Sequence, residues 1–120
     1  MTSAVPARIT FHGLLPSPSL DALIRSEVDA LERTFRNIVS CRISVELPHH
    51  HQRRGRLYRV VVEVGVPGGH VVVGGSQDQK AIHANARLAV GDAFRAAHRQ
   101  LEDHRRRHGE TVRLPASDTI

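Results

Sequence analysis

The sequence predicts an α+β domain whose elements follow the order strand, helix, strand, strand, strand, helix (β-α-β-β-β-α). Two segments repeat apolar residues at steps of three and four, which is the period of a helix face, and four short segments alternate apolar and polar residues as strands do. A strand-helix-strand unit crosses over right-handed and makes its two strands parallel, whereas short loops make the remaining neighbours antiparallel. A four-stranded mixed sheet with both helices packed on one face therefore closes the core.

The first half of the chain is predicted to contain a strand, a helix and a second strand. Residues 8–12 alternate and form the first strand. Ser17 or Ser19 caps a helix that begins near Leu20, because a serine side chain can accept the unpaired N–H groups of a first turn. Its buried stripe consists of Leu20, Ile24, Val28, Leu31 and Phe35. Residues 40–47 alternate again and form the second strand.

The second half is predicted to contain two strands and one long helix. Strands at 56–66 and 70–73 flank a Pro-Gly-Gly turn at 67–69. Residues 76–79 read Ser-Gln-Asp-Gln, which fits a capping box, so we expect the long helix to start there and to end near Gly109. Its apolar stripe consists of Ile82, Ala86, Val90, Phe94, Ala97 and Leu101.

Two features of the long helix are Gly91 in its interior and the residues that follow Gly109. Gly91 lies inside it at a cost of about 1 kcal/mol relative to alanine, and either permits close packing on the sheet or marks a weak joint. After Gly109 the residues have no period. We therefore expect one domain at 1–109 followed by a loosely ordered C-terminal tail at 110–120.

Composition points to a polyanionic partner. The net charge is +5, and sixteen of the 17 basic residues are arginine. Arginine suits phosphate recognition, although a GC-rich genome would also enrich it. Aromatics make up only 3% of the chain, which argues against a protein that stacks single-stranded bases. The single cysteine, the lack of a signal pattern and the lack of a long apolar run favour a cytoplasmic protein without a membrane partner.

Four stretches of sequence carry a family resemblance. They read HGLLPSPSLDALIRSEVDALERTF, CRISVELPHHH, VEVGVPGG and DAFRAAHRQLEDHRRRHG, and they occur in the order of the predicted elements. This ordered set resembles the ribosome hibernation-promoting factor and ribosome-associated translation inhibitor family, some of whose members are called sigma-54 modulation proteins. The resemblance covers roughly residues 9–109 and implies a fold like that of a double-stranded-RNA-binding domain.

The resemblance also implies a function. Family members bind the small ribosomal subunit near the decoding channel, where they block tRNA and mRNA and inhibit translation during stress. The implied partners are small-subunit rRNA and the intact ribosome, with no small-molecule substrate, no cofactor and no enzymatic activity. Members usually present many lysines on the two helices, whereas the basic residues here are arginines.

The candidate RNA-binding residues are arginines of the two helices and of one loop. They are Arg87, Arg95, Arg99, Arg105, Arg106, Arg107, Arg25, Arg33, Arg36, Arg53 and Arg54. On the long helix they would neutralise rRNA phosphates. The alternative is a solvated face with pairs such as Arg95 with Asp92 and Arg99 with Asp103. The first helix mixes its arginines with acids, which shifts the expected contact to the long helix.

The loop at 49–56 contains three adjacent histidines, His49 to His51. It is expected to be a solvated connection with some phosphate contact, because three neighbouring histidines on a loop do not define a tetrahedral metal site. No metal site is therefore predicted. No serine, histidine or acid spacing indicates a catalytic triad, which also argues against an enzyme.

Two alternative functions remain open at this stage. One is a double-stranded-RNA-binding regulator with no preference for ribosomes. The other is a protein-interaction module that self-associates through an exposed edge strand.

Overall fold

The computed structural model describes residues 6–47, 57–74, 82–83 and 85–119, with side chains described as far as Arg107 and not at 82–83. The elements are β1 (Ala7–His12), α1 (Pro18–Thr34), β2 (Ser40–Glu46), β3 (Tyr58–Val66), β4 (Gly69–Val73), β5 (Ile82–His83) and α2 (Ala86–Thr119). The predicted β-α-β-β-β-α order is confirmed, with the two-residue β5 as an addition.

The sheet has the predicted mixed topology. Its strands lie in the order β1-β2-β3-β4, and β1 pairs with β2 in parallel. The pairs β2–β3 and β3–β4 are antiparallel. Strand β5 pairs with the beginning of β3, at Tyr58 and Arg59, on the same edge of β3 that β4 covers farther along. The parallel pair follows from the α1 crossover, since a chain that returns through a helix re-enters the sheet in the same direction.

Both helices pack on one face of this sheet. The inward positions of β3 include Val60, Val62 and Val64, each 0% exposed. Ile24 of α1 and Val90 of α2 are also 0% exposed and belong to the same core cluster. Burying a side chain of this size contributes roughly 1.5–3 kcal/mol, so the valine-rich face and the two helix stripes account for the stability of the layer arrangement.

The start of α1 is the serine cap that the sequence predicts. The Ser17 hydroxyl accepts the N–H of Leu20 at 3.2 Å, and Pro18 occupies the first turn, where its missing N–H costs nothing. The helix ends at Thr34, and Phe35 donates its backbone N–H to the carbonyl of Leu31 at 2.8 Å. This cap holds Phe35 in the core directly after the last turn.

The start of α2 differs from the prediction. Ile82 and His83 pair with β3 as strand β5, so they cannot belong to a helix that starts at Ser76. Asn85 takes the capping role, because its Oδ1 accepts the N–H groups of Arg87 at 2.9 Å and Leu88 at 3.2 Å. The predicted helix start was wrong. Ile82 fits the apolar period of the helix, but its pairing with β3 makes it part of a strand. The predicted capping box at 76–79 lies outside the described residues.

The end of α2 also differs from the prediction. The helix continues to Thr119 instead of ending at Gly109, so the backbone at 110–119 is helical where a loosely ordered tail was expected. Once a helix is nucleated, each further residue adds a hydrogen bond at little cost. The division into a domain at 1–109 and a tail stays a prediction.

Gly74 follows β4 directly and lies close to the backbone of β3. Its φ of +83° is a backbone conformation that side chains disfavour, and a Cβ there would clash with the carbonyl oxygen of Val60. Glycine at this position therefore lets the chain pass close to the backbone of β3 at the end of β4.

Candidate nucleic-acid interface

The described part of α2 separates its buried and basic sides. Val90, Phe94 and Leu101 face the core with at most 3% exposure. The six arginines of residues 86–107 are all exposed. They are Arg87, Arg95, Arg99, Arg105, Arg106 and Arg107. Against them stand three acids, Asp92, Glu102 and Asp103, which leaves this stretch with a net charge of six minus three, or +3.

Three of these arginines form local ion pairs. Arg95 pairs with Asp92, as the alternative interpretation of the sequence predicts. Arg105 contacts Glu102 at 2.7 Å, and Arg106 contacts Asp103 at 2.7 Å. Each pair joins exposed side chains three residues apart, and such pairs contribute about 0–1 kcal/mol, so phosphate can compete for these guanidinium groups.

The other predicted pair is absent. Asp103 contacts Arg106, and Arg99 forms no ion pair with any side chain of the described residues. Arg87 likewise has no ion-pair partner within the described residues, so these two α2 cations have no carboxylate to displace before they meet phosphate.

The outer side of α1 is close to neutral. Residues 18–36 contain three arginines against four acids, a net charge of −1. Arg25 is paired with Asp21, whose Oδ1 lies 2.7 Å from its Nε. Arg33 and Arg36 form no ion pair with the described side chains and lie at the C-terminal end of the helix, so the cations of α1 concentrate at that end.

The two helices meet at this end of α1. The Arg105 guanidinium lies over the Phe35 ring, 4.8 Å from its centroid, and its Nη1 donates to the carbonyl oxygen of Thr34 at 3.4 Å. His98 approaches the same ring edge-on at 5.0 Å. We call Arg33, Arg36 and Arg105 the helix junction. The fold thus brings basic residues about 70 positions apart in sequence onto one surface, with Arg105 held in place by α1 as well as by Glu102.

The sheet also carries arginines that the sequence reasoning missed. Arg8, Arg42 and Arg59 point to the face opposite the helices, because they alternate with core residues along β1, β2 and β3. Their sequence signal is the polar position of an alternating strand, which is separate from the helix periodicity that indicates the other candidate arginines.

Two predicted contacts cannot be placed. Arg53 and Arg54 lie outside the described residues, as do His49 to His51. Within the described residues no group of three or more histidine, cysteine, aspartate or glutamate side chains is arranged to hold a metal ion. None of the helices described is long and apolar enough to cross a bilayer.

Cys41 is buried in β2 and is not poised for chemistry. Desolvation raises the pKa of its thiol from 9.0 to about 11, and the nearby charge of Glu32 acts in the same direction. The thiolate is the reactive form of cysteine, so this residue serves the core at neutral pH.

Comparison with solved structures identifies the fold. A ribosomal subunit interface protein from Coxiella burnetii superposes with a TM-score of 0.69 at 16% identity, covering 84% of this chain and 98% of that one. The N-terminal domain of Protein Y from Thermus thermophilus gives 0.65 at 17% identity, covering 88% and 100%. No functionally curated protein has a significantly similar sequence.

A match at the level of the family covers most of the chain. Residues 7–109 match the sequence profile described as sigma 54 modulation protein / S30EA ribosomal protein, which spans every strand and the described side chains of both helices. The chain therefore belongs to the sigma 54 modulation protein / S30EA ribosomal protein family, a class of ribosome-binding factors that are not enzymes.

Proposed function

We propose that this protein binds the small ribosomal subunit near the decoding channel, blocks tRNA and mRNA, and so inhibits translation in the cytoplasm of stressed cells. Membership of the family supports binding to ribosomes. The observation that carries the proposal for this chain is the excess of exposed arginines on α2, set against a nearly neutral α1.

The packing of α2 on the sheet favours binding by these arginines. The α2 stripe is buried against β3 and β4, so the arginine-bearing backbone is already rigid before the partner arrives. Less conformational entropy is then lost on association. Duplex RNA offers phosphates and 2′-hydroxyls along a shallow minor groove and is recognised mostly by shape, which suits a helix that presents exposed arginines.

The helix junction extends this contact surface toward α1. Arg33 and Arg36 flank the Thr34–Phe35 segment that Arg105 contacts, so phosphates that reach Arg105 also lie near them. Each guanidinium that neutralises a phosphate releases counterions, and affinity should therefore fall steeply as salt rises.

The proposal is tested by sedimentation of the protein with purified small subunits across a salt series. We expect Arg87→Gln/Arg99→Gln to weaken binding and to lower the slope of log affinity against log salt by about 2, since each lost phosphate contact removes roughly 0.9. A matched control, Ser19→Glu/Ala22→Glu, changes the net charge by the same two units on exposed positions of α1 and should bind almost as well as the wild-type protein.

A second measurement addresses the decoding channel directly. Wild-type protein should reduce tRNA binding to programmed small subunits, and the Arg87→Gln/Arg99→Gln variant should not. Absence of wild-type binding to small subunits would refute the proposal. Equal affinity for a random RNA duplex and for ribosomes would instead favour the ribosome-independent regulator, and concentration-dependent self-association without RNA affinity would favour the interaction module.

A further inference from the structure

The face of the sheet opposite the helices carries rows of polar side chains that are aligned by strand register. The outward residues of β1 to β4 form rows across the strands. One row runs Arg8, Arg42, Glu63 and Val72, and the next runs Thr10, Ser44 and Val61. We call this surface, comprising the outward side chains of β1 to β4, the open face. The open face is polar, so it is stable in contact with solvent and needs no partner to bury it. Any ligand of this face must therefore be inferred from the arrangement of its charges.

Its central row places two arginines side by side. Arg8 and Arg42 are register partners on parallel strands, and like charges on directly neighbouring strands destabilise a sheet. Only one carboxylate accompanies them, and it is held loosely: Arg42 Nη1 lies 3.9 Å from Glu63 Oε1, with both side chains well exposed. The row therefore keeps a net positive charge that an anion would neutralise.

Shallow depressions surround the two arginines. Two of them, of about 380 Å³ and 570 Å³, both include Arg8, Arg42 and Glu63 in their walls. The remaining polar groups of their lining are hydrogen-bonding side chains, namely Thr10, Ser44, Ser40 and His70. Guanidinium groups with hydroxyl groups around them are among the side chains that commonly contact the phosphates and sugars of nucleic acids.

Gly65 shapes the floor of this area. It lies within the central strand β3, where glycine weakens a strand, and its φ is not in the positive range that would require glycine. A Cβ at this position would lie 2.5 Å from the Ser40 hydroxyl oxygen. Glycine therefore leaves the Ser40 hydroxyl room to lie over β3 beside Arg42, as a further donor on the open face.

We propose that the open face is a second RNA-binding surface, on which Arg8 and Arg42 contact the phosphates of an RNA segment other than the one bound by the helices. This inference deepens the proposed function and rests on it. The occupant is RNA backbone rather than protein, because Val61 and Val72 are the only apolar side chains among the outward strand positions described. No phenylalanine, tyrosine or tryptophan lies among those positions, so the main contacts are to phosphates rather than to stacked bases.

The two surfaces lie on opposite sides of the domain. The helices cover one side of the sheet, and Arg8 and Arg42 lie on the other, so neither RNA segment blocks its counterpart. The protein is thereby suited to a cleft between two rRNA segments. If RNA contacted the helices alone, Arg8 and Arg42 would have no phosphate partner.

The test compares matched variants on small ribosomal subunits across a salt series. Arg8→Gln/Arg42→Gln should lower the slope of log affinity against log salt by about 2 and weaken binding on the order of tenfold or more at ~0.1 M salt. Glu63→Gln removes the competing carboxylate and should strengthen binding. In the fourfold variant that also carries Arg87→Gln/Arg99→Gln, the two losses should add, because the sites are far apart.

Each outcome separates the two proposals. If the wild-type protein binds and the Arg8→Gln/Arg42→Gln variant keeps its affinity and salt slope, the second surface is refuted while the proposed function stands. If the wild-type protein does not bind subunits, the proposed function fails, and the same variants are titrated with an RNA duplex. No binding there, or no loss on Arg8→Gln/Arg42→Gln, overturns the second surface as well. Thermal unfolding confirms that each variant is folded.

Discussion

The two helices pack on the same face of the sheet yet differ on their outer sides. Residues 18–36 of α1 and its C-terminal cap carry a net charge of −1, whereas residues 86–107 of α2 carry +3. Their inner sides both join the same core cluster. The contrast teaches that burial requires only apolar residues at helical spacing, so the exposed positions of each helix are free to differ and can be specialised for a partner.

The inner sides differ in a second respect. The buried residues of α1 are large, namely Leu20, Ile24, Val28 and Leu31. The buried side of α2 is rich in alanine, at Ala89, Ala93, Ala96 and Ala97, with Val90, Phe94 and Leu101 as its larger members. Small residues let the α2 backbone approach the sheet closely, so α2 depends on fewer large side chains for its anchorage, and Phe94 is the largest of them.

The largest expected effect tests that dependence. Phe94→Ala should lower the free energy of unfolding by about 3–5 kcal/mol, and Ile24→Ala in α1 by about 2–5 kcal/mol, because each leaves a cavity in the core. Chemical denaturation measures both. Leu88→Ala, at a residue 51% exposed on α2, is the control and should stay within about 0.5 kcal/mol of the wild type. A loss for Phe94→Ala as small as that of the Leu88→Ala control would contradict the anchoring role assigned to Phe94.

The charge contrast is sharpened by neutralising the cations of α1. Arg33→Gln/Arg36→Gln should reduce the salt slope of binding to small subunits by less than about 1, half the effect expected for Arg87 and Arg99, because the acids of α1 lower the local potential. Arg25→Gln is the control, since Arg25 is already paired with Asp21. Sedimentation with small subunits measures the α1 pair, the α2 pair and the Arg25→Gln control. A loss from the α1 pair as large as that from the α2 pair would mean that both helices contact RNA equally.

The smallest expected effect concerns Gly91. Among the described residues, a Cβ there would meet only the Arg95 guanidinium, at 3.5 Å, which is ordinary van der Waals contact. Gly91→Ala should therefore raise the free energy of unfolding by about 0.5–1 kcal/mol and leave RNA affinity unchanged. Gly74→Ala, at φ +83°, is the contrasting control and should destabilise. Loss of stability in Gly91→Ala would show that α2 needs glycine at that turn.

Much of the fold could be predicted because its signals are local. The alternation of β1 to β4, the Ser17 cap and the α1 stripe each depend on neighbouring residues, and each matches the structure. Strand β5 could not be predicted, because Ile82 fits the helical period of α2 and only its pairing with Arg59 makes it extended. Gly91 was likewise undecided until the structure showed Arg95, and not the sheet, beside it.

In the candidate site, too, local features could be predicted and contacts between distant residues could not. Residue spacing alone predicts which side of α2 is basic, because the angle between residues on a helix is set by its backbone geometry. The contact of Arg105 with Phe35 of α1 and the position of Arg8 beside Arg42 on the open face arise only in the folded chain. Those neighbours are distant in the chain, and their proximity comes from the crossover and from strand register, which no local pattern encodes.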